Sequence, residues 1–302
     1  MPEDNNLSSG YSLAKMRVFG IDNYKNISSY LTNREYAFWD EIQVIQEDSE
    51  YPQGLCFTED FVCISYYSEV NGELGKIKLF DKESGEYLLS LGIDSESHLG
   101  GIAYDGSYIW TCNSSKMAIE KISYEFVREM ASRYQGETLD VRNMVDVYSV
   151  KNIPSSITYF DGKLCVVSHS KKNDGRMIGY NYNAKKDTLK AKEKITIPSK
   201  VQGVSFSDDG EIYLSMSYGR RSSSYIKKYD SINSLKDGLD TFIENIKLPP
   251  CAEGIVCEMD KLYVLFESAG KKYLEGTDGY GQSTDPLDRI LIIKMKWGHR
   301  SW

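Results

Sequence analysis

The strongest constraint on the fold is a pattern that occurs five times along the chain. In each copy a short apolar stretch begins at a small residue, a tight turn follows, and a second apolar stretch comes next. The small residues in register are Gly54, Gly101, Ser156, Gly203 and Gly254, at intervals of 47, 55, 47 and 51 residues. Strand-forming repeats of about fifty residues predict a β-propeller or a related array.

Each repeat contains further strand-like segments after the first two. The third strands are predicted at 76–80, 119–123, 177–181 and 225–229. The outer strands are predicted at 87–91, 145–150, 194–197 and 242–248. Two repeats carry insertions before the outer strand, and residues 124–133 show helical spacing, with a weaker signal at 231–240. The sequence therefore predicts an all-β propeller of five four-stranded blades.

The last repeat lacks a fourth strand after its third strand at 289–295. Residues 38–45 alternate like an outer strand but precede the first repeat. Adding this segment to the last blade would close the ring and hide an exposed sheet edge. The sequence therefore predicts that residues 38–45 complete the fifth blade.

The domain limits follow from this closure: an N-terminal extension over 1–37, one propeller domain over 38–297 and a tail over 298–302. Within the extension, 1–10 read as disordered, 11–21 as a strand and 26–33 as a loop or short helix. A sixth blade built from 11–37 is the alternative, although that segment has no repeat start.

Net charge of −8 disfavours nucleic acid and anionic membranes as general partners, because both attract a positive surface. No stretch of about 20 apolar residues indicates a membrane span. The first residues lack the basic and then apolar order of a signal peptide. A cytoplasmic monomer is the default expectation, and an exported mature form is the alternative.

Six cysteines are too few for a dense disulfide framework. Cys63, Cys112 and Cys165 lie in apolar second strands, which predicts buried thiols. If residues 59–60 form the first hairpin turn, Cys56 lies directly opposite Cys63, close enough to bridge. No cysteine and histidine spacing indicates zinc.

A ligand site is predicted at one end of the central channel. In a propeller the loop entering each innermost strand and the loop leaving the second strand emerge on the same face. Polar residues occupy most of these positions, above apolar strands. The ligand-binding candidates are Gln53, His98, Ser155, Gln202, Arg220, Arg221, Glu253 and Glu267. The long loop over 268–288 is expected to lie over the same mouth and to contribute to function.

Several of these candidates have specific chemistry. Glu253 is a lone carboxylate at the mouth, and Glu267 follows a strong strand of the same repeat. Arg220 and Arg221 could pair with these glutamates or bind a carboxylate or phosphate group of a ligand. His169 is a candidate proton shuttle. The catalytic candidates are Glu253, Glu267 and His169. Glu253 and Asn113 are the metal-binding candidates, with a divalent cation such as calcium as the only cofactor considered.

The repeat start, together with residues 98–105, 201–204, 217–222 and 265–269, resembles known propellers. It is similar to the broad group that includes lactonase-like, NHL-repeat and strictosidine-synthase-like proteins. It also resembles an uncharacterised bacterial propeller family, often exported, over about residues 50–296. The resemblance implies the fold and no established activity. Lactonase-like members hold a divalent metal with Glu, Asn and Asp residues, whereas here no acidic residue other than Glu253 occupies a strand start.

The sequence is therefore compatible with two functions. The first is a recognition protein that binds a small molecule, glycan or peptide at the polar mouth. The second is a divalent-metal-dependent hydrolase of the lactonase-like type, with His169 or Glu267 transferring protons. Glycosidase chemistry requires two carboxyl groups flanking the scissile bond, and Glu267 lies in the same repeat as Glu253.

Overall fold

A computed structural model describes residues 26–47, 49–94 and 96–295. It contains five sheets, antiparallel except for one short edge strand, and each innermost strand contacts the innermost strands of two neighbouring sheets. This arrangement is a five-bladed β-propeller, as the repeat predicted. The predictions for residues 1–10, 11–21 and the tail over 298–302 lie outside the described residues.

The blades follow the repeats in chain order. Blade 1 consists of β2 (Glu50–Phe57), β3 (Phe61–Ser68), β4 (Gly75–Asp81) and β5 (Tyr87–Asp94). Blade 2 consists of β6 (Ile102–Tyr104), β7 (Tyr108–Asn113), β8 (Ala118–Ser123) and β10 (Asp146–Ser149). Blade 3 consists of β11 (Ser156–Phe160), β12 (Lys163–Ser168), β13 (Gly175–Asn183) and β14 (Thr188–Ile197). Blade 4 consists of β15 (Val201–Phe206), β16 (Ile212–Met216), β17 (Ser224–Tyr229) and β18 (Glu244–Leu248). Blade 5 consists of β19 (Ala252–Glu258), β20 (Lys261–Phe266), β21 (Ile290–Lys294) and β1 (Tyr36–Trp39).

The small residue of each repeat is explained by how closely the innermost strands approach one another. A Cβ atom on Gly101 would lie 2.6 Å from the Cα atom of Ser156 in the next blade. On Gly254 it would lie 2.6 Å from the backbone nitrogen of Leu55, where blade 5 meets blade 1. Real Cβ contacts are not this short, so a larger side chain would force the strands apart. The glycines therefore permit the tight ring around the axis.

The ring closes through β1, which pairs antiparallel with β21 in the register Phe38↔Leu291. The predicted partner sheet is confirmed, but the predicted bounds of 38–45 are wrong. The strand covers only Tyr36–Trp39, and the chain then leaves the sheet. Ile42 and Val44 are buried in the same core as blade 5, so their apolar alternation reflects packing without strand pairing.

The insertions form additional elements. Helix α2 (Tyr124–Arg133) covers the predicted range and packs Tyr124, Val127 and Ala131 inward, while α3 (Ile232–Asp237) occupies the second insertion. Strand β9 (Thr138–Asp140) was not predicted: it pairs in parallel with β5, so blade 1 has five strands. Helix α1 (Ile27–Tyr30) lies within 26–33, where a loop or a short helix was predicted, and α4 (Lys271–Glu275) lies in the long loop of blade 5.

The predicted burial of three second-strand thiols is confirmed, and Cys56 and Cys63 are not bridged. Cys63, Cys112 and Cys165 are buried, and all six cysteines are free thiols. Cys56 lies directly opposite Cys63 across the first hairpin. Among the described residues, no helix is long and apolar enough to cross a membrane.

Candidate functional site

Four of the predicted site residues form one polar cluster where three innermost strands begin and the second strand of blade 5 ends. Gln202 Nε2 donates to Glu253 Oε1 at 3.1 Å, and Gln53 Nε2 donates to Glu267 Oε2 at 2.9 Å. Glu253 and Glu267 are hydrogen-bonded to each other. The cluster therefore joins blades 4, 5 and 1. We call Gln53, Gln202, Glu253 and Glu267 the mouth cluster.

Irregular strand pairing places these side chains. The register between β2 and β3 shifts between Pro52 and Gly54, which leaves Gln53 as the extra residue. The same shift occurs around Gln202 in β15 and around Glu253 in β19. Such bulges turn a side chain away from its regular direction and are common beside functional sites. Three blades therefore use the same backbone irregularity to direct a polar side chain into one cluster.

Both glutamates have raised pKa values, chiefly because they are buried. Burial raises the pKa of Glu253 well above its usual range, and the adjacent charge of Glu267 raises it further. The pKa of Glu267 is also raised, mainly by burial, although hydrogen bonds from Tyr273 and Gln53 oppose this effect. Because two carboxylates this close cannot both ionise readily, the environment favours a pair that holds one proton and one negative charge.

The long loop of blade 5 packs beside the mouth cluster through aromatic side chains. Tyr273 of α4 is hydrogen-bonded to Glu267, and its ring packs on Tyr51 with centroids 5.9 Å apart. Lys272 donates to the hydroxyl of Tyr67 at 2.6 Å and lies 4.3 Å from the centroid of the Tyr51 ring. The loop over 268–288 is therefore an ordered wall of the mouth. The sequence predicted that this loop lies over the mouth, but it did not predict the contacts of Lys272 and Tyr273.

The two arginines do not pair with the glutamates. Arg220 instead forms a salt bridge with Asp278 and donates to the carbonyl oxygens of Lys272 and Gly281 at 3.0 and 2.8 Å. Its guanidinium also lies 4.3 Å from the centroid of Tyr273. Arg220 thus fastens the long loop to blade 4. Arg221 is exposed, and its guanidinium packs against Gly281 of the same loop.

The remaining polar candidates lie in other blades. His98 is exposed and stacks on Tyr67, with centroids 3.9 Å apart. Loss of hydration against this ring and the nearby charge of Lys272 lower the pKa of His98. Ser155 Oγ accepts a hydrogen bond from the backbone nitrogen of His169 at 2.6 Å. Nδ1 of His169 lies 3.2 Å from the carbonyl oxygen of Val201, which fixes the ring beside Gln202.

Asn113 does not join the mouth cluster. Its Nδ2 donates to Asp94 Oδ2 at 2.8 Å and to Glu120 Oε1 at 2.7 Å. Its Oδ1 accepts from the hydroxyl of Ser115 and from the backbone nitrogen of Lys116, so its amide is occupied within blade 2 and at its boundary with blade 1. Blades 2 and 5 are not neighbours in the ring. The pairing of Asn113 with Glu253 as metal ligands stays a prediction, and the Asn113 amide is already engaged by Asp94 and Glu120.

In chemical terms, the mouth cluster offers carboxylate acceptors, amide donors and one exchangeable proton. Exposed aromatic rings lie on the surrounding loops, with Tyr218 being 50% and Tyr280 82% exposed. Over the described ranges, no group of three or more His, Cys, Asp or Glu side chains is arranged to hold a metal ion.

Comparisons with known proteins identify no relative by sequence: no family model and no curated protein matches the chain. Similar solved structures include the tail fibre of Staphylococcus aureus phage P68, at 13% identity and a TM-score of 0.54 over 90% of this chain. Glutaminyl cyclase of Myxococcus xanthus is 12% identical with a TM-score of 0.44, covering 83% of this chain and 94% of the cyclase. Hydrazine synthase of Kuenenia stuttgartiensis is 11% identical with a TM-score of 0.40 over 73% of this chain. The chain spans only 55% of the fibre chain and 56% of the hydrazine synthase chain. At these identities the comparisons concern the β-propeller fold alone.

Proposed function

We propose that this propeller is a recognition protein that binds a small polar molecule, a glycan or a peptide at the mouth of its channel. The observation that carries the proposal is the mouth cluster, in which side chains from three blades converge on one carboxyl pair. Glycans fit this chemistry best, because their hydroxyl groups both donate and accept hydrogen bonds. Their apolar ring faces could pack on Tyr218 and Tyr280, which are exposed on adjoining loops.

A thermal-shift screen tests the proposal with mono- and oligosaccharides, organic acids, short peptides and divalent cations. A ligand that binds the native state raises the melting temperature by mass action. At a ligand concentration one hundred times Kd, the free energy of unfolding increases by about 2.7 kcal/mol. The shift should shrink in Glu253→Gln and in Tyr218→Ala. It should persist in Glu83→Gln, which removes an exposed carboxylate from the β4–β5 turn. A shift that is the same in all four proteins would refute the mouth as the binding site.

The uncharacterised bacterial propeller family named above is compatible with this proposal, since it implies the same fold. The divalent-metal-dependent hydrolase remains the second candidate because the carboxyl pair could exchange its proton for a cation such as calcium. Asn113 is bonded elsewhere, so the remaining oxygen ligands would have to come from other groups. A calcium-induced rise in melting temperature that Glu253→Gln removes would favour this candidate. Glycosidase geometry is less suitable. Retaining enzymes keep their two carboxyl groups roughly 5–5.5 Å apart, whereas Glu253 and Glu267 are hydrogen-bonded to each other.

A further inference from the structure

Blade 3 carries a concentration of positive charge in a chain whose net charge is −8. Residues 156–197, which span β11 to β14, contain nine Lys and Arg residues against four Asp and Glu residues. Blade 3 therefore has a net charge of +5, whereas the rest of the chain has a net charge of −13. Five exposed lysines lie in β14 and in the turn before it, and we call them the basic edge: Lys185, Lys186, Lys190, Lys192 and Lys194.

The acidic residues within this stretch are bonded to other groups. Asp187 accepts from the hydroxyl of Tyr182 at 2.7 Å and forms a salt bridge with Lys121 of blade 2 at 3.2 Å. Glu193 forms a salt bridge with Lys236 of α3 in blade 4. Across 26–47, 49–94 and 96–295, no salt bridge involves a lysine of the basic edge. Five positive charges are therefore presented to solvent without a neutralising partner from the blade.

The lysines of β14 form a row. This strand is the outer edge of its sheet, and exposed side chains alternate along it with less exposed ones. Lys190, Lys192 and Lys194 all occupy exposed positions of this alternation. Lys192 is the extra residue of a bulge opposite β13, and the alternation continues through it. Alternate residues of an extended strand lie roughly 6.5–7 Å apart, so the row presents charges at about this interval.

Protection of the sheet edge explains only part of this charge. Lysines on an edge strand hinder its pairing with other chains. The excess, however, continues beyond the edge strand into the β13–β14 turn with Lys185 and Lys186. It also includes the exposed Arg176 of β13, which is one strand further in. The positive surface is therefore wider than edge protection requires.

The charges also indicate the kind of partner that fits. An extended peptide with a carboxylate on every second residue repeats its charge at the same interval as the lysine row. Eight of the nine basic residues of blade 3 are lysines, whereas the planar fork of arginine is the group best suited to phosphate. The net charge of −13 on the rest of the chain repels a long polyanion or an anionic membrane that extends beyond blade 3. A short acidic peptide segment meets these conditions.

We propose that the basic edge docks a short, extended, acidic segment of a partner protein, whose alternate carboxylates contact Lys190, Lys192 and Lys194. The binding surface lies on the outside of blade 3, whereas the mouth cluster belongs to blades 4, 5 and 1. The proposal is therefore independent of the recognition function at the mouth.

The test is a fluorescence-anisotropy titration with a dye-labelled peptide that alternates four glutamates with four threonines. We expect saturable binding that weakens when sodium chloride is raised from about 50 to about 200 mM, because exposed ion pairs are screened by salt. A peptide with glutamine in place of glutamate should not bind. A peptide of the same composition, with the four glutamates in one block, should bind several-fold more weakly because its charges do not match the row.

A triple variant locates the binding surface. Lys190→Gln, Lys192→Gln and Lys194→Gln together should weaken binding about tenfold, since each exposed ion pair contributes only a few-fold in affinity. The matched control removes the same number of exposed positive charges elsewhere, through Arg133→Gln, Lys247→Gln and Lys294→Gln. This control should bind the peptide like the wild-type protein. If the first triple variant self-associates, Lys185→Gln with Lys186→Gln replaces it, because these lysines lie in the turn and leave the edge strand protected.

Four results would overturn the proposal. The first is the absence of saturable binding to the wild-type protein, and the second is an equal loss of affinity in the variant and its control. The third is equal affinity for the alternating and the block peptide. The fourth is binding of a sulfated oligosaccharide in place of the peptide, which would assign the basic edge to a polysaccharide.

Discussion

The shared proton of the mouth cluster makes a sharp prediction for Glu253→Gln. The substitution preserves the shape of the side chain and an oxygen that accepts from Gln202. Its amide can donate to Glu267 permanently, as the protonated carboxyl does now. The variant therefore keeps the hydrogen-bond geometry and removes one titration from the native state.

The sign of the effect follows from the raised pKa of Glu253. Above the ordinary glutamate value of 4.5, the folded protein holds a proton that the unfolded chain has released. The free energy of unfolding must then fall as the pH rises toward the raised pKa. One proton corresponds to a slope of about 1.4 kcal/mol per pH unit over the range in which the folded protein holds it and the unfolded chain does not. Glu253→Gln should lose this slope and be the more stable protein at the alkaline end.

Urea unfolding of both proteins across this pH range measures the difference directly. Glu83→Gln is the control for removing one negative charge at an exposed position. It should retain the wild-type slope. If Glu253→Gln shows the same pH dependence as the wild-type protein, Glu253 does not hold the proton, and the description of the pair is incorrect.

Three further predictions concern the framework around the site. Arg220→Met should release the long loop, costing about 1.5–3 kcal/mol for the charge-assisted contact with Asp278, and limited proteolysis should then cut near 276–283 faster than in the wild-type protein. Gly101→Val should lower the free energy of unfolding by at least about 1–3 kcal/mol, measured by chemical denaturation, because its Cβ would lie 2.6 Å from the Cα atom of Ser156. Phe38→Ala should cost about 3–5 kcal/mol and loosen β1 from β21, and size-exclusion chromatography should then show self-association through the uncovered edge. Unchanged proteolysis, stability or elution, respectively, would contradict each expectation.

The blades could be predicted from the sequence because the constraint that forms them recurs. Gly101 and Gly254 are small for the same steric reason, so the register of the repeats reflects the geometry of the ring. The location of the mouth cluster could be predicted in the same way, since the residue before each small residue lies at the same place in every blade. Its contacts could not be predicted, because the bulges at Gln53 and Gln202 leave no mark in the hydrophobic pattern.

Other features were missed for different physical reasons. Strand β9 is three residues long and mostly exposed, so no apolar alternation marks it. The role of Arg220 depends on how the loop over 268–288 folds, and several exposed carboxylates could have been its partner. Asn113 ends a strand on the mouth side, but its side chain turns into the blade toward Asp94 and Glu120. The position of a residue within its repeat therefore predicts where its backbone lies better than it predicts the partners of its side chain.

The pairing of β1 with β21 has a consequence for synthesis on the ribosome. About 250 residues separate the two strands. At a synthesis rate of roughly 5–20 residues per second, β1 is therefore made on the order of ten to fifty seconds before β21. Blades 3 and 4 can each assemble from contiguous sequence as they emerge, whereas blade 5 cannot be completed until residue 290 has left the exit tunnel. A nascent chain interrupted before that point would leave β1 and β20 without the strand that pairs with both of them. Unpaired strand edges are the kind of surface that chaperones and degradation machinery engage.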